Sequence, residues 1–378
     1  MKTTLSKSIL LAFAVPAMVA MLASCAGSGT KPAGDSSAVM TDSTATDTVI
    51  AATGPKPAWG ETIEPEMHAV IEKLAEYGDK PIPELTPAEA RKNHTPTDAV
   101  MDLISEHHRT IPPPMCDTTG KEIPVNGGTV HARVYTPKTG AGPFPVIVYY
   151  HGGGFVIANI DVYNASAQGL SDLTGAIVVS VAYRLAPEHK FPTAHNDAFA
   201  AYKWVTENAS SMKGDPKKIA VVGESAGGNL AANVSIMARD KGITVPVYQV
   251  LIYPIAQSDM NTPAYIKYAA AKPLDKPMME WFTRHYLNSM TEAKDPRISL
   301  VMANLRNLPS TTIITAEIDP LNSDGMMLAD KLKAAGVSVD SKNYTGVTHE
   351  FFGMPAIVPQ AKDAQQYAAD ALKKAFGK

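Results

Sequence analysis

Hydrophobic residues along this chain recur with two periods that alternate from about residue 129 onward. Thr129 to Tyr135 alternates apolar and polar positions, as a half-buried strand does, and Pro145 to Tyr150 is an unbroken apolar run. Ala176–Tyr183, Ile219–Gly223, Tyr248–Tyr253 and Thr311–Ala316 are further strands, and Ser338–Tyr344 is a candidate for the last. Between them, helical spacing predicts helices over Ala165–Leu173, Ala194–Glu207, Ala226–Ala238 and Leu321–Ala335. Strands apolar on both faces must be covered on both, so the alternation predicts an α/β fold with a mostly parallel sheet between helical layers. Ligands in such sheets bind outside the carboxyl ends of the strands.

Two stretches depart from this rhythm. Met67, Val70, Ile71 and Leu74 fall at helical spacing, and Thr86-Pro-Ala-Glu89 is a capping box with proline at the first helical position. The segment up to about Ile111 reads as accessory helices packed over the sheet. After Tyr253-Pro254, Asn261–Met290 reads as two helical pieces carrying Met278, Met279, Trp281, Phe282 and Tyr286. The two stretches together predict a cap above the strand ends, with N-terminal cap helices over 58–115, a core over 116–378 and a cap insertion at about 259–291. A methionine and aromatic stripe is more often packed core than substrate contact.

The beginning of the chain follows another logic. Lys2 and Lys7 precede an apolar run, Ile9 to Leu22, that Pro16 interrupts and that is too short for a comfortable membrane span. Leu22-Ala-Ser-Cys25 resembles a bacterial lipobox, which makes 1–24 a lipoprotein-type signal peptide and Cys25 the lipidated residue; a plain secretory signal with an incidental cysteine is the alternative. Residues 26 to about 57 hold Ser, Thr, Gly, Ala and Asp with almost no large apolar groups, a composition that does not offset its ordering entropy. They read as a flexible tether holding the protein to the membrane of the cell envelope.

The remaining composition mainly excludes. A net charge of −3, or −5 once Lys2 and Lys7 leave with the signal, and the lack of a basic block argue against nucleic acid as a partner. Two cysteines, Cys25 and Cys116, build neither a disulfide framework nor a cysteine zinc site.

Chemistry concentrates at predicted strand ends. Gly223-Glu-Ser225-Ala-Gly227 is a G-x-S-x-G sequence between a strand and a helix, where a sharp turn lifts a serine hydroxyl clear of the sheet. His151-Gly-Gly-Gly154-Phe155 follows another strand; consecutive glycines let backbone N–H groups face a cavity, as an oxyanion intermediate requires. A dinucleotide loop is excluded, because Ile157 stands where its fingerprint needs glycine or alanine. His151 itself reads as structural.

A serine nucleophile needs a base, and the base needs an orienting carboxylate. In the α/β-hydrolase order of nucleophile, acid, histidine, Asp319 follows the strand Thr311–Ala316 and His349 lies in the loop Thr345–His349. Glu317 is the alternative acid, and His189 and His195 are alternative bases that precede Ser225 against the expected order. His349-Glu350 has no second histidine at zinc spacing, so no metal is expected.

With these residues assembled, the chain resembles the hormone-sensitive lipase-like esterases from about Pro65 to Lys378. The likeness rests on His151–Phe155, Tyr183-Arg-Leu-Ala-Pro-Glu-His189 with Phe191-Pro192, Gly223–Asn229, Asp295-Pro-Arg297, Asp319-Pro-Leu321 and Tyr344-x-Gly346-x-x-His349-x-Phe351. The resemblance implies an α/β-hydrolase fold with Ser225 as nucleophile, His349 as general base and Asp319 as its partner. It further implies an oxyanion hole from the amides of Gly153, Gly154 and Ala226, a helical cap, no cofactor, and short- to medium-chain carboxylic esters as substrates. Glu224 stands where the family often has aspartate and Glu350 where it often has glycine. A carboxylate at 350 is expected to raise the basicity of His349 or narrow the entrance.

Overall fold

The structure is a computed structural model that describes residues 49–378. The expected signal peptide, Cys25 and most of the expected tether lie outside the described residues.

Eight strands run in chain order: β1 Cys116–Val125, β2 Gly128–Pro137, β3 Phe144–Tyr150, β4 Ile177–Ala182, β5 Gly214–Glu224, β6 Gln249–Ile252, β7 Thr311–Ile318 and β8 Val339–Thr348. The helices are α1 Pro65–Glu76, α2 Pro87–Ala90, α3 Pro96–Glu106, α4 Asn164–Thr174, α5 Thr193–Asn208, α6 Ala226–Asp240, α7 Pro263–Lys267, α8 Lys276–Tyr286, α9 Asn322–Ala334 and α10 Pro359–Phe376. The strands form one sheet in the order β1-β2-β4-β3-β5-β6-β7-β8. From β4 to β8 every pairing is parallel, and β2 runs antiparallel to both its neighbours. This is the α/β-hydrolase architecture expected from the alternation of strands and helices.

Successive residues of β3 show why its run is continuously apolar. Val146, Val148 and Tyr150 join a core with residues of α5, α6, α8 and α9, whereas Ile147 and Tyr149 join a second core with α1, α3, α4 and α10. A central strand buried on both faces has no polar face to show.

The expected cap pieces are present. Thr86 and Glu89 close the capping box of α2, and Trp281 of α8 donates its indole N–H to Leu85 O at 3.0 Å, tying the two halves of the cap together. The tether ends earlier than its composition suggests. Ile50 is buried, and the backbone amides of Thr53 and Gly54 donate to the Glu72 carboxylate of α1 at 2.7 Å each. One buried side chain and a helix carboxylate suffice to order a polar segment. β8 continues to Thr348, so His349 directly follows a strand instead of ending a loop.

Candidate active site

Ser225 is the single residue between β5 and α6, held at φ 56° and ψ −117°. Its neighbours explain why this region suits glycine. A Cβ on Gly223 would lie 2.1 Å from Gly227 O, and one on Gly227 would lie 1.9 Å from Tyr150 O. The turn is pressed against the end of β3, and any side chain at either flank would force the backbones apart. Ser225 N–H donates to Ile252 O at 2.9 Å, which fastens the turn to β6 as well. A positive φ on a non-glycine residue is costly, and it persists because these contacts over-determine it.

The side chain of Ser225 opens on a cavity of about 780 Å³ that Gly153, Gly154, His349 and Glu350 also line. Gly153 and Gly154 have φ of 97° and 59°, and their amides donate to no backbone acceptor among the described residues. Gly153 O accepts from Val156 N at 3.0 Å and from Ile157 N at 2.9 Å, which closes the loop into a tight turn. Ala226 is the first residue of α6, where a helix leaves its N–H groups without intrahelical partners.

Asp319 follows β7 and is fully buried. Its Oδ1 accepts from Leu321 N at 2.8 Å, and its Oδ2 lies 2.7 Å from His349 Nδ1. Burial pulls the His349 pKa down, but the charge and hydrogen bond of Asp319, then the charges of Glu350 and Glu224, outweigh it and leave the imidazole more basic than usual. The structure therefore brings the hydroxyl and the carboxylate-paired imidazole expected from the sequence to one cavity, beside the two expected glycine amides.

A family model described as the alpha/beta hydrolase fold matches residues 147–353, the span that carries all of these groups. The chain belongs to this family. Carboxylesterase NlhH of Mycobacterium tuberculosis is 39% identical over 65% of this chain and 79% of its own. The arylesterase of Saccharolobus solfataricus is 34% identical over 64% of this chain and 79% of its own. Among solved structures, the Pyrobaculum calidifontis esterase is 38% identical and covers 80% of this chain and 97% of its own, with a TM-score of 0.73. This alpha/beta hydrolase is thus an enzyme acting on esters, similar to the hormone-sensitive lipase-like group.

Of the alternatives weighed from the sequence of this hydrolase, Glu317 and His195 are held by other partners. Glu317 accepts from Gly346 N at 2.8 Å and from the Thr62 hydroxyl at 3.0 Å. His195 is buried between Tyr286 OH at 2.8 Å and Asn229 Oδ1 at 2.9 Å, and burial pushes its pKa down to about 4. His189 lines the cavity, and it lies in the segment that joins β4 to α5. His151 stacks on Tyr183 with ring centroids 4.3 Å apart, and burial lowers its pKa to about 4, which suits a neutral structural ring. No group of three or more His, Cys, Asp or Glu side chains among the described residues could hold a metal ion.

Of the two departures from the family pattern, Glu224 is buried beneath the site and Glu350, half-buried, lines its cavity. The Glu224 carboxylate accepts from the hydroxyls of Tyr149 and Tyr253, and burial raises its pKa to about 6. Glu350, with φ 67°, accepts from Tyr163 OH at 3.0 Å, and burial raises its pKa against the pull of His349. Sequence reasoning missed the three tyrosines, because Tyr149 and Tyr253 read only as apolar strand positions. It also missed Asp324, fully buried in α9, which accepts from Ala256 N at 3.0 Å and Gln257 N at 3.1 Å and so fixes the chain leaving β6. Burial lifts that carboxyl to about pKa 7.

Proposed function

We propose that this chain is a serine carboxylesterase that hydrolyses short- to medium-chain esters through an acyl-enzyme. The observation that carries the reading is the Asp319–His349 pair at 2.7 Å opening on the cavity that holds Ser225. In this mechanism the Ser225 Oγ attacks the ester carbonyl while His349 Nε2 takes its proton. The tetrahedral oxyanion is held by the amides of Gly153, Gly154 and Ala226. Collapse expels the alcohol, protonated by His349, and a water activated by the same imidazole then releases the acid. Asp319 keeps the Nδ1–H tautomer and stabilises the imidazolium. No cofactor takes part.

Deacetylation of acetylated glycans or cleavage of aryl amides would use the same groups. The apolar side chains of Ile82, Leu74, Ile157, Val162, Leu185, Met278 and Phe282 in the cavity favour an apolar acyl ester over a sugar. Rates on p-nitrophenyl esters of two to twelve carbons, p-nitrophenyl-free acetylated xylose and an acetanilide test this. The butyrate ester is expected to be preferred over the other two classes by ~100-fold or more in kcat/KM, about 3 kcal/mol of differential transition-state binding.

We further infer that the chain is a lipoprotein of the cell envelope, anchored through Cys25. The support is the sequence Leu22-Ala-Ser-Cys25 behind a short apolar run. Cys25→Ala is expected to move the esterase from the membrane to the soluble fraction on fractionation. Unchanged membrane association would remove the anchor from the account.

A further inference from the structure

Arg91 closes α2 at its C-terminal end, on the cap, yet all its guanidinium hydrogen bonds cross to the core. Its Nε donates to Val156 O at 2.9 Å, and its Nη2 donates to Ala186 O at 2.7 Å. Nη1 and Nη2 also grip the Glu188 carboxylate side-on, at 2.9 and 2.7 Å. Ala186 N in turn donates to Phe155 O at 2.9 Å. One planar fork therefore fastens both the turn at 153–157 and the segment it leans on. Val156 is fully buried, so its carbonyl has no access to water and depends on this donor.

The turn so held carries Gly153 and Gly154, which line the cavity and whose amides donate to no backbone acceptor among the described residues. Its internal bonds run from Val156 N and Ile157 N back to Gly153 O. A shift of Val156 consequently rotates the Gly153 peptide. Trp281 of α8 reaches the same cap segment through Leu85 O, so both cap elements bear on the clasp.

From this geometry we propose that Arg91 is a positioning residue for the oxyanion donors, a strut by which the cap sets the aim of the Gly153 and Gly154 amides. The proposal rests on the esterase reading above. Lysine is no substitute: its ammonium is a point charge that cannot serve Val156 O, Ala186 O and both Glu188 oxygens in one plane.

The test is Arg91→Lys in the full chain, assayed with p-nitrophenyl butyrate, with a trifluoromethyl ketone as the probe of oxyanion binding and butyrate as the probe of ordinary binding. Donors displaced by a fraction of an ångström forfeit rate without forfeiting ground-state affinity. The expected result is a kcat lower by about 10- to 100-fold, a KM within about 3-fold, and ketone affinity reduced in parallel with kcat while butyrate affinity is kept. Far-UV circular dichroism must be native at the assay temperature; should Arg91→Lys unfold, Arg91→Met, which keeps an unbranched side chain without any donor for Val156 O, takes its place with the same expectation. A kcat within about 3-fold of the parent overturns the proposal, as does a raised KM at unchanged kcat, which would make Arg91 a substrate contact. A parent whose activity survives Ser225→Ala would instead overturn the esterase mechanism itself.

Discussion

Ser225→Ala is expected to lower kcat for p-nitrophenyl butyrate by roughly 10⁴-fold or more, leaving at most the rate that binding and the oxyanion donors alone provide. The reasoning is local. The turn geometry depends on Gly223 and Gly227, whose closest approaches are backbone to backbone, so alanine at 225 deletes the proposed nucleophile without releasing the turn. Ser225 N–H still bonds Ile252 O. Fold and stability should therefore survive, and KM should change little. A fluorophosphonate should label the parent once per chain and the variant not at all. Retained turnover in the variant would take Ser225 out of the reaction.

The second large effect is expected from Asp319→Asn, a fall in kcat near 10⁴-fold at neutral pH with the structure intact. The surroundings of this residue dictate the outcome. Leu321 N–H donates to Oδ1, so an asparagine must turn its carbonyl oxygen toward that amide. Its NH2 then faces His349 Nδ1, which has to accept rather than donate. The proton moves to Nε2, toward Ser225, and the imidazole can no longer take the serine's proton. The pH profile gives a second readout. The base must be neutral, so the rate rises as pH passes upward through the His349 pKa, which in the parent sits above its ordinary value. Loss of the Asp319 charge leaves burial less opposed, so the same limb should move to lower pH even as the plateau falls. A limb that stays in place would mean that another carboxylate, Glu350 being the nearest in sequence, governs the imidazole.

The candidate constellation was legible in the sequence because each part sits at a strand end and carries a local signature. Ser225 lies between glycines that only a crowded turn requires, and Asp319 and His349 follow the strands where chain order puts them. What was not legible depends on partners far along the chain. Arg91 reads as a surface cation near the end of a short helix, and nothing nearby announces that Val156, Ala186 and Glu188 receive it. Glu224 reads as a charge beside a serine, although two strand tyrosines bury it. β1 escaped because its exposed residues show no alternation: only Cys116 and Ile123 are buried in a strand at the edge of the sheet. α10 escaped for a different reason. Its buried stripe, Ala361, Ala364, Gln365, Ala368, Ala369, Leu372 and Phe376, does fall at helical spacing, but most of it is alanine, which marks a core face less plainly than leucine or isoleucine and lets the helix lie close to α4.

The contact between Gly227 and the carbonyls of Tyr150 and His151 has a mechanical consequence. With no space for even a methyl group between them, the elbow bearing the hydroxyl is locked to the start of the ribbon that leads on to Gly153 and Gly154. The base of the anion cradle is thus fixed to the elbow, and what remains to the cap, through Arg91 and Val156, is the fine aim of the donors farther along the ribbon.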